Sequence, residues 1–129
     1  MPYVYSKVDK LAKTSKVGNK QCVALIQHYT RAGRTATWRE GTRVRGQLTL
    51  EKGTAIATFV DGRYPNKASG NHAAFYLKQD ATGIWVMDQW ANNEKKPTVS
   101  ARHLPFCSTT SCIKGTTASD DGDAYSVIE

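Results

Sequence analysis

A chain of 129 residues that is 40% hydrophobic has the size of one domain and enough apolar material for a core. No apolar run reaches the roughly 18 residues a membrane-spanning helix needs, and Met1-Pro2-Tyr3-Val4-Tyr5-Ser6-Lys7 lacks the apolar stretch of a signal peptide. The net charge of +7 is uneven: residues 1–50 hold ten Lys and Arg against Asp9 and Glu40, while residues 107–129 hold Lys114 against Asp120, Asp121, Asp123 and Glu129. A basic surface suits a polyanionic partner, either nucleic acid or a carboxylate-bearing cell wall, and charge does not choose between them.

Residues 3–14 set Tyr3, Val4, Val8 and Leu11 among lysines and predict a short helix or turn. Residues 13–20 form a polar connector containing Gly18. Asn19 reads as an N-cap, which places Cys22 at the third helical position; the helix continues through Val23, Leu25, Ile26 and Tyr29 and fades at Ala32-Gly33. Residues 33–46 read as basic and irregular, with Trp38 as an anchor. From residue 47 the period changes to two, which predicts strands over residues 54–59, 72–77 and 84–90. Asp61-Gly62 marks a turn, and Gln79-Asp80-Ala81-Thr82-Gly83 reads as a hairpin connection. Residues 98–104 add a strand ending at Pro105, and the tail from Gly115 is polar, with only Tyr125, Val127 and Ile128 able to dock. There is no internal repeat and no sign of a second domain within residues 1–129. A helix followed by a run of antiparallel strands argues for an α+β fold.

The chemistry rests on a cysteine at the opening of a helix and a histidine at the opening of a strand about fifty residues later. A thiol is a nucleophile as its thiolate, and a helix N-terminus and a nearby imidazole both favour that form. Strand alternation sets His72, Ala74 and Tyr76 on one face and Phe75 and Leu77 on the other; in the next strand Val86, Asp88 and Trp90 share a face. If the hairpin loop has an odd number of residues, His72 and Asp88 become cross-strand neighbours, and the carboxylate selects the imidazole tautomer. An even loop breaks this match, and Gln89 then inherits the role. Each residue also has a plainer reading: Cys22 as a small buried hydrophobe, His72 as a structural strand residue, Asp88 as a turn cap or a lysine's partner. His28 is turned away around the helix from Cys22, and His103 reads as a surface residue. Cys107 and Cys112 flank a short polar loop that can close as a disulfide and leave Cys22 free, or remain reduced; a zinc site lacks a second ligand pair.

Gln21-Cys22-Val23-Ala24-Leu25, Gly70-Asn71-His72-Ala73-Ala74-Phe75-Tyr76-Leu77 and Ile84-Trp85-Val86-Met87-Asp88-Gln89-Trp90, in that order and spacing, resemble the small cell-wall amidases of the NlpC and CHAP type. Among these papain-like cysteine peptidases the chain looks most like the type VI secretion amidase effectors, over about residues 18–106. The resemblance implies a papain-like α+β fold with a nucleophile helix packed on an antiparallel sheet. It also implies Cys22 as nucleophile, His72 as general base and Asp88 as the orienting acid. CHAP proteins often carry an acid-Gln-Asn run at that third position, and here Trp90 replaces the Asn. Gln21, Arg63, Tyr64, Asn71, Gln89 and Trp90 are the expected substrate contacts; Trp38 and Trp90 either line the cleft or anchor the core.

The implied reaction is hydrolysis of a peptide bond in peptidoglycan stems or cross-links, with the diaminopimelate–D-alanine cross-link favoured over D-glutamyl–diaminopimelate. It needs no cofactor and no metal. The implied setting is delivery to a rival cell's periplasm, with a cognate immunity protein as partner; the free chain is expected to be monomeric, with no membrane insertion. A phage or housekeeping wall hydrolase would share the same chemistry. A nucleic-acid-binding module is the alternative from another class, but the basic residues accompany neither an RNP-like strand motif nor a helix-turn-helix.

Overall fold

The structure is a computed structural model and is described over residues 2–129. Six strands form one sheet: β1 (Glu40–Arg43), β2 (Ala55–Thr58), β3 (Ala73–Gln79), β4 (Gly83–Asp88), β5 (Ser100–Pro105) and β6 (Tyr125–Ile128). Their spatial order is β1-β6-β2-β3-β4-β5, and each neighbouring pair is antiparallel. One α-helix, α1 (Cys22–Tyr29), lies in the chain ahead of the sheet, and short 3₁₀ turns cover Val8–Leu11, Thr35–Thr37, Ala118–Asp120 and Gly122–Ala124. The expected α+β class holds.

Both faces of the sheet are buried. Leu25 and Ile26 of α1 pack with Ala73, Phe75 and Met87 on one face, joined by Val8, Leu11, Trp38 and Val99. Ala74, Tyr76, Ile84 and Val86 point to the other face, where they cluster with Leu104 of β5, Tyr125 of β6, Phe106 and Val44. The expected alternation in β3 and β4 is therefore present. The helix covers the Phe75 face rather than the face that His72 shares with Ala74, so Cys22 meets His72 around the end of β3.

Three expectations about local structure change. Helix α1 begins at Cys22 with Gln21 as its N-cap, two residues later than Asn19 predicts. Lys20 adopts a left-handed φ of 70° and its N–H bonds the Val17 carbonyl at 2.9 Å, so the chain is still in a turn there. Asn19 serves that turn, its side chain accepting from the Gln21 N–H at 3.0 Å. Residues 40–43 form the edge strand β1, which sequence reading left irregular because Glu-Gly-Thr-Arg has no apolar alternation. The C-terminal residues do more than dock: β6 is inserted between β1 and β2, and all four of its residues are buried.

Register differs as well. Phe75 pairs with Met87 and Tyr76 with Val86, so the ladder is displaced by two residues and His72 is diagonal to Asp88 rather than opposite it. The tip of the hairpin pairs Gln79 with Ile84 and Lys78 with Trp85, which is the opposite parity. A bulge between Tyr76 and Lys78 absorbs the difference.

Candidate active site

Starting α1 at Cys22 leaves its backbone N–H without an intrahelical acceptor and its thiol at the positive end of the helix. Cys22 is part-exposed and is the free cysteine; Cys107 and Cys112 are bonded to each other, with Cα atoms 5.4 Å apart. Strand β3 starts one residue after His72, whose backbone is tied to β2: its N–H bonds Thr58 Oγ1 at 3.1 Å and its carbonyl accepts from the Thr58 N–H at 3.0 Å. His72 Nε2 donates to Asp88 Oδ2 at 2.8 Å, with His72 5% and Asp88 0% exposed. That bond leaves Nδ1 for Cys22.

The electrostatics follow from this order. Burial alone pushes the Cys22 thiol up, but the hydrogen bond and positive charge of His72, the Ala73 N–H and the Tyr64 hydroxyl outweigh it and lower the thiol. Burial alone would lower His72; its bonds to Asp88 and Cys22 instead lift it to about 9. Asp88 is held down at about 2: burial opposes this, while the His72 hydrogen bond and the charges of His72, Arg102 and Lys96 dominate. Both shifts favour a thiolate beside an imidazolium.

Tyr64 and Asn71 complete the mouth. Asp61 and Gly62 both have positive φ (51° and 77°), and the Val60 and Arg63 backbones exchange hydrogen bonds, a two-residue hairpin turn that aims the following Tyr64. The Tyr64 hydroxyl lies 3.8 Å from Cys22 Sγ and accepts from Asn71 Nδ2 at 2.9 Å. With the Asn71 amide on its oxygen, the hydroxyl proton is free to point at the sulfur. Burial, and then the Cys22 charge, raise the Tyr64 pKa, so the hydroxyl keeps that proton.

A cleft of about 590 Å³ opens beside Cys22, lined among others by Gln21, Tyr64, Asn71, Arg34 and Lys67. The sequence-predicted contacts thus separate. Gln21, Tyr64 and Asn71 line the cleft with Cys22, whereas Arg63, Gln89 and Trp90 are outside its lining. Arg63 is exposed and donates to the Ala36 carbonyl at 3.4 Å. Gln89 is 0% exposed and holds the chain ahead of α1, accepting from the Val17 N–H at 3.0 Å and donating to the carbonyls of Val17 (3.1 Å) and Gln21 (2.8 Å). Its oxygen and both amide hydrogens are engaged and the side chain is fully buried, so it does not face the cleft. Trp90 packs edge-on to His72, with ring centroids 6.1 Å apart, and Trp38 is core, donating to the Ala32 carbonyl at 3.1 Å.

Sequence reasoning missed four residues. Arg34 and Lys67 are the charged residues of the cleft lining. Lys96 and Arg102 bind Asp88: Lys96 Nζ is 2.7 Å from Oδ1 and Arg102 Nε is 2.6 Å from Oδ2. Arg102 pairs in register with Val86 on β5, so alternation would have set it on the Asp88 face; Lys96 lies in a loop with no periodic signal. Among the described residues no cluster of three or more His, Cys, Asp or Glu could hold a metal ion, and no helix is long and apolar enough to cross a membrane.

Similarity to known proteins agrees with this arrangement. Residues 5–128 match the family described as domesticated amidase effector 2. The chain is 51% identical over 133 residues to the type VI secretion amidase effector 2 protein of Salmonella typhi, with all of both chains covered. It also superposes on the solved structure of type 6 secretion amidase effector 2 with a TM-score of 0.89 and 50% identity, covering 98% of this chain and 94% of that one. A cysteine at the start of a helix, a histidine at the entrance of a strand and this likeness along the whole chain have one reading: the chain belongs to the amidase effector 2 family, with its papain-like fold.

Proposed function

We propose that this chain is a cysteine amidase that hydrolyses a peptide bond of peptidoglycan, in the stem peptides or their cross-links, as an antibacterial effector. The observation that supports this most directly is the line Cys22–His72–Asp88, with an open cleft at the sulfur and a buried carboxylate behind the imidazole. In the first step the Cys22 sulfur attacks the scissile carbonyl carbon, and the carbonyl oxygen takes the negative charge within reach of the Cys22 N–H. As the tetrahedral centre collapses, the C–N bond breaks, and His72 gives its proton to the leaving amine. The resulting thioester is hydrolysed by water that neutral His72 deprotonates, which releases the carboxylate product and restores the thiolate–imidazolium pair. Asp88 keeps the imidazole in one tautomer and balances its charge throughout.

Wall peptides carry free carboxylates next to the bonds such an enzyme would cut. Arg34 and Lys67 are exposed, and among the described residues neither side chain has an ion-pair partner, so they can receive those groups. The diaminopimelate–D-alanine cross-link is the bond favoured, by family resemblance. Delivery to a rival periplasm and neutralisation by an immunity protein that covers the cleft complete the reading. Digestion of purified sacculi, with released muropeptides identified by mass, tests it: loss of cross-linked dimers is expected. No release, or equal release by Cys22→Ala, would remove the thiol mechanism.

A further inference from the structure

Asp88 has more partners than the orienting acid of a cysteine amidase requires. Its Oδ2 accepts from both His72 Nε2 (2.8 Å) and Arg102 Nε (2.6 Å), and its Oδ1 accepts from Lys96 Nζ (2.7 Å). Lys96 is 6% exposed and also bonds the Ser100 carbonyl at 3.1 Å. Arg102 reaches outward to Asp120 Oδ1 at 2.8 Å and to the Ser119 carbonyl. Both cations lie on the ring of Trp90, at 4.7 and 4.8 Å from its centroid, and the same ring meets His72 edge-on. Trp90, the residue that departs from the expected acid-Gln-Asn run, is therefore the seat on which two cations are stacked beside the acid.

The other titratable neighbours of this cluster are Cys22 on the His72 side, with Tyr64 behind it, and Tyr125, whose buried hydroxyl donates to the Ser119 carbonyl at 2.7 Å. Lys96 and Arg102 thus face one carboxylate next to an imidazole that must both hold and release a proton. A carboxylate alone with an imidazole in a dry site would bind that proton too firmly for rapid transfer to a leaving amine. A carboxylate shared with two cations presents less net charge to His72. It also cannot rotate without leaving a buried cation unpaired.

We propose that Lys96 and Arg102 are positioning residues of the reaction, which lock the Asp88 carboxylate in one orientation and temper its pull on the His72 proton. This rests on the reading of Cys22 and His72 as the reacting pair.

The test uses Lys96→Met and Arg102→Gln singly in the full chain, with Lys96→Arg as the conservative control. Two pH profiles are measured: alkylation of Cys22 by iodoacetamide, which reads the thiolate without any wall substrate, and muropeptide release from sacculi. Removing either cation should move both limbs of the release profile, and the alkylation midpoint, to higher pH by about one unit. The rate constant kcat at neutral pH should fall about tenfold with KM unchanged, because neither residue lines the cleft. Lys96→Arg should keep the wild-type limbs. Unmoved limbs alongside lost activity or a lower Tm would overturn the proposal and leave a structural role. If Lys96→Met does not fold, Arg102→Gln decides, its side chain being 23% exposed. Failure of the underlying reading looks different: the wild-type chain would release no muropeptide whatever its alkylation profile.

Discussion

Gln89 donates its side-chain amide to the backbone carbonyl of Gln21, 2.8 Å away, and so ties the chain just after β4 to the N-cap of α1. The next residue back along β4, Asp88, holds His72. Asp88, the last residue of β4, and Gln89 just beyond it therefore position the two halves of the proposed Cys22–His72 pair, one through a side chain and one through the backbone.

Replacing Gln89 with Ala should cost about 1–3 kcal/mol of stability, since it removes three part-buried hydrogen bonds and leaves the Val17 N–H without its acceptor. It should also lower activity by loosening the start of α1. Denaturant unfolding beside sacculus digestion checks both, and a variant of wild-type stability and rate would show that the tie is dispensable.

Activity and stability should separate across the proposed catalytic residues. Cys22→Ala should abolish muropeptide release with little change in Tm, because a part-exposed thiol contributes little packing. Asp88→Ala should lose activity and also about 3–5 kcal/mol of stability, because it strands Lys96 and Arg102 beside each other without their shared anion. Thermal unfolding of the two variants side by side makes the comparison.

The shifts set the pH dependence. His72 rises from 6.5 to about 9, so its contribution to stability is complete below about 6.5 and is lost as pH rises through about 9. Asp88 falls from 3.8 to about 2, so its contribution is complete above 3.8 and is lost as pH drops through about 2. Activity should decline on the alkaline side near 9, where the imidazolium loses the proton it must donate. An alkaline limb near 6.5 in kcat/KM would contradict the assignment.

Substituting Arg34 or Lys67 with Ala should raise KM several-fold on wall fragments that retain their free carboxylates, and much less on amidated ones. Steady-state kinetics on the two substrates tests this, and equal effects on both would separate these cations from carboxylate recognition.

Reduction should expose two further thiols. In protein purified without reductant, alkylation should label Cys22 alone, and opening the Cys107–Cys112 loop should cost about 2 kcal/mol, small because the loop is short. Three labelled cysteines before reduction would be the contrary result.

The pairing of His72 with Asp88 shows how far strand alternation carries. Period-two reading put both on one face, but it made the match conditional on an odd hairpin loop. The segment between Gln79 and Ile84 is in fact even, and the bulge between Tyr76 and Lys78 restores the parity before the site is reached. No local pattern announces a bulge there, because Leu77 and Lys78 fit an undisturbed strand as well as a broken one. Likewise β6 is a central strand written in four ordinary residues; its insertion beside β2 depends on a long-range choice of partner.

What the sequence determined by itself was the set of candidate site side chains and the local elements that carry them: a cysteine entering a helix, a histidine entering a strand, an aspartate in the next one. Residue type and short-range periodicity encode such things directly. Tertiary structure alone decided the charge environment of the site, because Lys96 and Arg102 reach Asp88 from a loop and from β5, and a buried charge is defined by whatever the fold folds against it. It also turned Gln89 from an expected substrate contact into the support of the nucleophile helix, since a side-chain amide takes its role from the backbone groups brought within its reach.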